Sequence, residues 1–503
     1  MVDVTGRYQN DLERLVSCGV LPDLFFSQRV WDEDAIAQAL SQRTTNGVCS
    51  EELVNAIIAR LPKEMVSSRD RDALLLTPVR QVGARYQFTE DTDTTYFAGV
   101  GRDINAVFQS SRENKKGALL GVGHQLDLYA MHEAAYKFFD LYAATRASLL
   151  LNADLKNLDD WQLTLDEAYA KIDLGPLYLL AGRGHLLWGQ GQSGGFIFTD
   201  NARARDQVLV SHDKAFALPW FFRHLGKWKA SFLFGTLGPE SFFPWEMFTG
   251  MALSLKPSSH FELSLAHVLQ FGGQGSRNLS VGQGAQEFFG FIPFVSQTSR
   301  LGSNKLTELG FRWMMPEWKQ MHLSFDYFMD DANLSSKAGL KKHFTHNSSY
   351  KIGLSFLCVT NNCQDALRFE FATTSPIAYT NGEFLEGWTL NQNVIGDSLG
   401  PDGVRLQALW ERRWDDHWSH AFRIHYTERS ANTYLVSGNG LNVSIRTDRA
   451  EEKRTGFFIK PSYHWLQWTV SSGFLLEHIK NYGFVAGRQE VGAQFALDLS
   501  YDF

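Results

Sequence analysis

Apolar positions along this chain change their period once. Up to about residue 78 they recur at helical spacing. Leu12, Leu15 and Val16 share one face of a predicted helix over 10–16. Asp32 is an expected N-cap for a second helix, with Glu33 and Asp34 in its first turn and Ile36, Ala37 and Leu40 behind. Ser50 caps a third, where Leu53, Val54, Ile57, Ile58 and Leu61 repeat until Pro62. This piece is too small to hold much core of its own and is expected to pack on the rest. From about residue 80 the period is 2. Phe232 and Phe234 alternate with Ser231, Leu233 and Gly235; Leu263 and Leu265 with Glu262, Ser264 and Ala266. The same holds for Leu323, Phe325 and Tyr327, for Leu367, Phe369 and Phe371, for Leu406, Ala408 and Trp410, and for Phe422, Ile424 and Tyr426.

One apolar and one polar face fits a soluble sheet as well as a lipid-facing strand. The last strand separates the two. Ala493, Phe495, Leu497, Leu499, Tyr501 and Phe503 face one way, while Gln494, Ala496, Asp498, Ser500 and Asp502 face the other. A terminal strand ending on an aromatic is what the barrel-assembly machinery of the outer membrane reads. No apolar run reaches the roughly 18–20 residues that a spanning helix needs, so a membrane form has to be a closed barrel. The expectation is an all-β transmembrane outer-membrane antiparallel β-barrel (residues 79–503) of about 18 strands, with a small N-terminal periplasmic α-helical bundle (residues 1–78). Long extracellular loops are expected at 185–225, 238–248, 271–305, 329–349, 374–403 and 429–453.

Composition agrees without deciding. Aromatic residues make up 14% of the chain and Gly contributes 42, which suits aromatic girdles and barrel bends but also a sandwich or propeller. The net charge of −7 over 503 residues gives no basic patch for nucleic acid. The four cysteines form two local pairs, Cys18 with Cys49 and Cys358 with Cys363, suited to disulfides in an oxidising compartment. Their spacing is not that of a zinc site, and neither a metal nor a cofactor is expected. The opening Met-Val-Asp-Val-Thr-Gly-Arg is no secretory signal, so an export signal is expected to have been removed.

Chemical motifs are sparse. Gly189 to Gly194 matches GxGxxG, but Phe196-Ile-Phe-Thr follows where a helix should start, so these glycines are expected to fold a loop back at the barrel mouth. His346-Asn347-Ser348 and Ser419-His420 lack a G-x-S-x-G context, and no catalytic residue is assigned. Gln270 to Arg277 and Tyr379 to Gly403 mix aromatic faces with carboxylates, amides and an arginine. That mixture suits sugars, which stack on a ring while polar groups take the hydroxyls.

Several stretches resemble the capsule-assembly Wzi family, in the right order. Asn10-Asp-Leu-Glu-Arg-Leu-Val-Ser-Cys-Gly-Val20 resembles its opening R-N-D-L-x-x-L-x-x-x-G-V, and Asp34 to Leu40 its second helix. Trp188-Gly-Gln-Gly191, with Arg203 and Arg205 downstream, resembles W-W-G-P-G. Leu269 to Gly275 resembles M-Q-W-G-G-E-G, and Tyr379 to Gly403 the Gly-Asp-rich segment that follows. Leu187, Gln190, Gln274 and Val394-Ile395 depart from the family's Trp, Pro, Glu and Pro-Leu.

The resemblance implies a plugged outer-membrane lectin that is not an enzyme and that holds capsular polysaccharide or exopolysaccharide at the cell surface. It implies lipid and lipopolysaccharide around the barrel, with polysaccharide export proteins as further candidate partners. The glycan-contacting residues expected here are Trp188, Arg203, Arg205, Gln270, Gln274, Tyr379, Glu383, Glu386, Trp388, Asp397 and Asp402. The alternative is a channel for a small anionic or sugar solute, with Arg368, Glu370, Arg405, Arg423 and His425 facing the lumen.

Overall fold

The computed structural model describes residues 8–29, 31, 33–42, 49–66, 72–90, 94–95, 107–108, 123–151, 161–192, 194–277, 279–289, 302–330, 348–381, 383–391, 393–430, 433–437, 442–446 and 449–503. Asp32, His346 and Asn347 lie outside the described residues, as do parts of the loops expected at 271–305, 329–349 and 429–453.

Eighteen antiparallel strands close into a barrel. They are β1 (Leu75–Thr89), β2 (Gly123–Tyr136), β3 (Phe139–Leu151), β4 (Trp161–Asp173), β5 (Leu177–Gly184) and β6 (Arg205–His212). Then come β7 (Lys227–Gly238), β8 (Glu246–Ser258), β9 (Phe261–Phe271), β10 (Ser303–Met315), β11 (Met321–Asp330) and β12 (Ser348–Phe356). The last are β13 (Asp365–Thr373), β14 (Gly403–Arg413), β15 (Trp418–Arg429), β16 (Glu452–Trp465), β17 (Trp468–Lys480) and β18 (Gln489–Asp502). Each pairs with the next, and β18 returns to β1 with Tyr86 opposite Leu497, which removes both sheet edges.

The alternation predicts the faces correctly. Phe232, Phe234, Phe369, Ile424, Leu497 and Leu499 are exposed on the outside, while Leu233, Glu262, Asp326, Arg368 and Thr427 are buried within. Connections alternate in length. At one end they are mostly short, as at 137–138, 174–176, 259–260, 316–320 and 466–467; at the other they are mostly long, as at 90–122, 185–204, 272–302 and 374–402. Exposed Trp313, Trp318, Trp414, Trp418, Trp465 and Trp468 crowd the short-turn end, as an interfacial girdle does.

One expected loop is corrected. The stretch 185–225 contains β6, so the loop there is 185–204, and residues 213–226 turn at the opposite end. This strand is short, and of its eight residues only Val208 and Val210 are exposed apolar positions.

Helices α1 (Gln9–Ser17), α2 (Glu33–Ser41), α3 (Glu51–Ile58) and α4 (Lys63–Val66) close the short-turn end. Ser50 caps α3 by accepting from the Leu53 N–H at 3.3 Å. The Cys18–Cys49 disulfide joins the end of α1 to the segment before α3, and Cys358–Cys363 closes the turn between β12 and β13. The helical apolar faces bury with Leu187 and Met314 of the barrel. Polar ties fix the same contact. Arg14 donates to the carbonyls of Leu357 and Asp365 (2.7 and 3.0 Å), and Glu13 pairs with Arg368 at 3.0 Å.

Candidate functional site

Three segments enter the lumen and meet. From the helical end, residues 25–29 rise inside the barrel. Gln28 bridges to Trp188, the Gly189 N–H donates to the Ser27 carbonyl at 2.9 Å, and the Arg29 N–H donates to the Leu187 carbonyl at 3.1 Å. From the opposite end, loops 185–204 and 374–402 fold inward. Their apolar side chains form one cluster with the barrel wall. Trp188, Phe196, Ile197, Phe198, Tyr379, Trp388, Val394 and Ile395 pack against Leu180, Leu209, Leu233, Phe248, Val268, Leu306 and Phe328.

Inward charges hold the plug's backbone, because a folded-in loop has peptide groups that the barrel ladder cannot satisfy. Gln190 and Gly191 N–H groups donate to Asp326 at 2.8 and 2.9 Å. Phe196 and Ile197 donate to Glu308 at 2.7 and 3.0 Å. Phe26 and Ser27 donate to Glu262 at 3.1 and 2.8 Å. Lys351 donates to the carbonyls of Gly194 and Gly195, both at 3.0 Å, and Arg29 to those of Gln190, Gly191 and Gln192. Here the glycines of the GxGxxG match have a physical role. Gly189 and Gly194 take φ of 103° and 100°, and a Cβ on neighbouring Gly195 would lie 1.7 Å from the Glu308 carboxylate. This turn lies deep in the lumen rather than at the mouth.

The expected glycan residues fall into three groups. Trp188, Tyr379, Trp388, Arg205 and Gln270 are buried in or against the plug. The Trp388 indole N–H donates to the Ile197 carbonyl and the Tyr379 hydroxyl to that of Phe196, both at 2.9 Å. Gln270 donates to Glu246 at 2.7 Å and to the Gly387 carbonyl at 3.3 Å. Asp397 stands apart as a buried clamp. Arg405 pairs with it through both nitrogens at 2.9 Å and Lys351 reaches it at 2.7 Å. Burial pushes the Asp397 carboxyl up, but Arg405 and Lys351 outweigh burial and hold it well below the usual carboxylate range.

The third group reaches solvent. Gln274 and Glu383 are exposed; Arg203, Glu386 and Asp402 are half-buried. Burial pushes the Glu386 carboxyl up. Gln274, Glu383 and Glu386 lie near one another where the loops after β7, β9 and β13 converge. The Gln274 N–H donates to the Pro244 carbonyl at 2.8 Å, Phe243 meets Phe384 edge-on at 5.5 Å, and Asn391 donates to Glu240 at 2.9 Å. The plug-holding residues Glu262, Glu308, Asp326 and Lys351 were not singled out from the sequence. Their signal was a charge at an inward position of a strand.

The lumen charges assigned to a channel have partners of their own. Arg368 holds Glu13, Arg405 holds Glu370 and Asp397, His425 holds Glu477 at 2.7 Å, and Arg423 lies over the Phe458 ring. A closed barrel with a lipid-facing apolar belt and an internal plug defines an outer-membrane β-barrel whose lumen is occupied. The Capsule assembly protein Wzi family model matches residues 98–490, more than three quarters of the chain, and the chain belongs to that family.

Among solved structures the chain is similar to Escherichia coli Wzi, an outer-membrane protein involved in group 1 capsule assembly and a carbohydrate-binding β-barrel. The TM-score is 0.68 at 16% identity over 99% of this chain and 98% of that one. Pseudomonas aeruginosa OprD aligns at a TM-score of 0.44 and 8% identity over 86% and 95% of the two chains. No curated protein matches.

Proposed function

We propose that this barrel binds capsular polysaccharide or exopolysaccharide on its long-loop face and holds it at the cell surface. The observation that carries this reading is the filled lumen, in which loops 185–204 and 374–402 are tied down by inward charges. Such a barrel has traded passage for a rigid loop platform. Gln274, Glu383 and Glu386, with Arg203 nearer the β6 root, offer hydrogen-bonding groups on that platform, as sugar hydroxyls require. The buried aromatics serve the same end by fixing the loops that carry these groups. The helical end faces the periplasm and the loops face outward. Family membership supports the same polysaccharide class.

The test is retention of labelled surface polysaccharide by cells with the gene, without it, and with the Glu383→Ala/Glu386→Ala double variant. Shedding in the last two supports the reading, provided the variant barrel is present in the outer membrane. Retention unchanged in the deletion refutes it. Steady conductance of the purified protein in planar bilayers would favour the channel instead.

A further inference from the structure

Arg29, Arg368 and Arg405 donate to carbonyls or carboxylates, but Arg205 does not. It opens β6 pointing inward and is 1% exposed, and none of its three guanidinium nitrogens has an acceptor among the described residues. Its close described neighbour is the Phe198 ring, whose centroid lies 4.6 Å from Cζ. A ring face attracts a cation but leaves the in-plane N–H groups unsatisfied. A second donor flanks the same ring. Trp188 meets Phe198 edge-on at 5.1 Å, and its indole N–H is also buried without an acceptor among the described residues.

Across the β5–β6 ladder Arg205 faces Gly184. A Cβ built on Gly184 would touch only Tyr169 Cδ1 at 3.6 Å and Gln207 Nε2 at 3.9 Å, ordinary contact distances. The Gly184 position is thus normally packed, and the guanidinium is turned to the Phe198 ring instead. Gln207 uses its amide N–H on the Gly184 carbonyl at 3.0 Å, and no described carboxylate pairs with Arg205.

We propose that Arg205 is a buried site for a small inorganic anion of chloride size inside the plug. A charge, unsatisfied donors and no paired carboxylate are what such an ion needs. A buried cation without a counter-charge is otherwise strongly unfavourable. Arg205 lies buried in the plug, away from the solvent-reaching Gln274, Glu383 and Glu386. The site is thus separate from the glycan surface, and the anion acts as a structural member that fixes the root of loop 185–204.

The test uses the purified full-length barrel. Crystals grown in sodium bromide should show an anomalous peak within hydrogen-bonding distance of the Arg205 guanidinium. In detergent, the melting temperature should rise and saturate with chloride against gluconate at constant ionic strength, and this rise should be lost in Arg205→Met. If Arg205→Met fails to assemble, the bromide map of the unsubstituted protein decides alone. Ordered water or a protein carboxylate at Arg205 without a halide peak overturns the proposal, as does an equal chloride response in Arg205→Met.

Discussion

Replacing Asp397 with Asn tests how the plug is held. The two side chains are nearly the same size, so the change removes charge rather than packing. It leaves Lys351 and Arg405 buried on either side of a neutral amide, with Arg405 still on Glu370 and Lys351 still on two carbonyls. Removing one partner of a buried pair costs about 3–5 kcal/mol. Against that, loop 374–402 keeps Tyr379, Trp388, Val394, Ile395 and Leu399 buried, each worth roughly 1.5–3 kcal/mol. The apolar term is the larger, so the resting state stays plugged. The population of released loop rises roughly a hundred- to a few-thousandfold. The expected record in planar bilayers is a silent parent and a variant with brief, infrequent openings. A variant that is silent and melts like the parent would refute the clamp.

The same pair sets a pH expectation. The Asp397 carboxyl is held below its ordinary value of 3.8 in the folded protein. Its contribution is therefore complete above that ordinary value and is lost only as pH falls further, through the lower folded value. The parent should be as silent at pH 5 as at pH 7, and openings that appear between those values would contradict this account.

Other outcomes follow from the packing. Trp388→Ala removes a fully buried ring that contacts Phe198 and Phe248, and should cost about 3–5 kcal/mol, read as a lower melting temperature and faster protease cutting in loop 374–402. Reducing Cys18–Cys49, which spans 31 residues, should remove about 3–4 kcal/mol of constraint, seen as faster proteolysis of the helical end while the barrel still migrates as a folded species. Glu13 follows the sign of Asp397. Burial raises its carboxyl, but Arg368, Arg312 and Arg29 more than reverse this, so the helical end should hold at pH 5 in hydrogen-exchange measurements.

The barrel wall was readable because lipid imposes a rule at every second residue. Phe232 and Phe234, or Leu497 and Leu499, stand exposed on the outside while the residues between them turn to the lumen, and the terminal strand ending on Phe503 points to lipid as the cause. Where the apolar stretch shortens to Val208 and Val210, the rule weakens and the pattern does not reveal β6. The direction of the long loops was not readable. Trp188, Tyr379 and Trp388 have the composition of a sugar platform, and the same composition packs a plug, since both need rings with polar tips. Only the partners distinguish the two. Those partners lie far away in sequence: Glu308 is 112 residues from Phe196, Asp326 is 136 from Gln190, and Glu262 is 236 from Phe26.

The meeting of Gln28 with Trp188 gives the molecule an axis. Residues 25–29 are covalently continuous with the helical end and hydrogen-bonded to loop 185–204. That loop is bonded in turn to loop 374–402, where the Thr199 hydroxyl donates to the Gly396 carbonyl at 2.6 Å. A rod of chain thus runs down the centre of a stiff sleeve. A load applied to the helical end reaches the loops beneath the long-loop face along this rod, with no strand of the barrel having to change register. The two faces of the membrane are mechanically joined along that path.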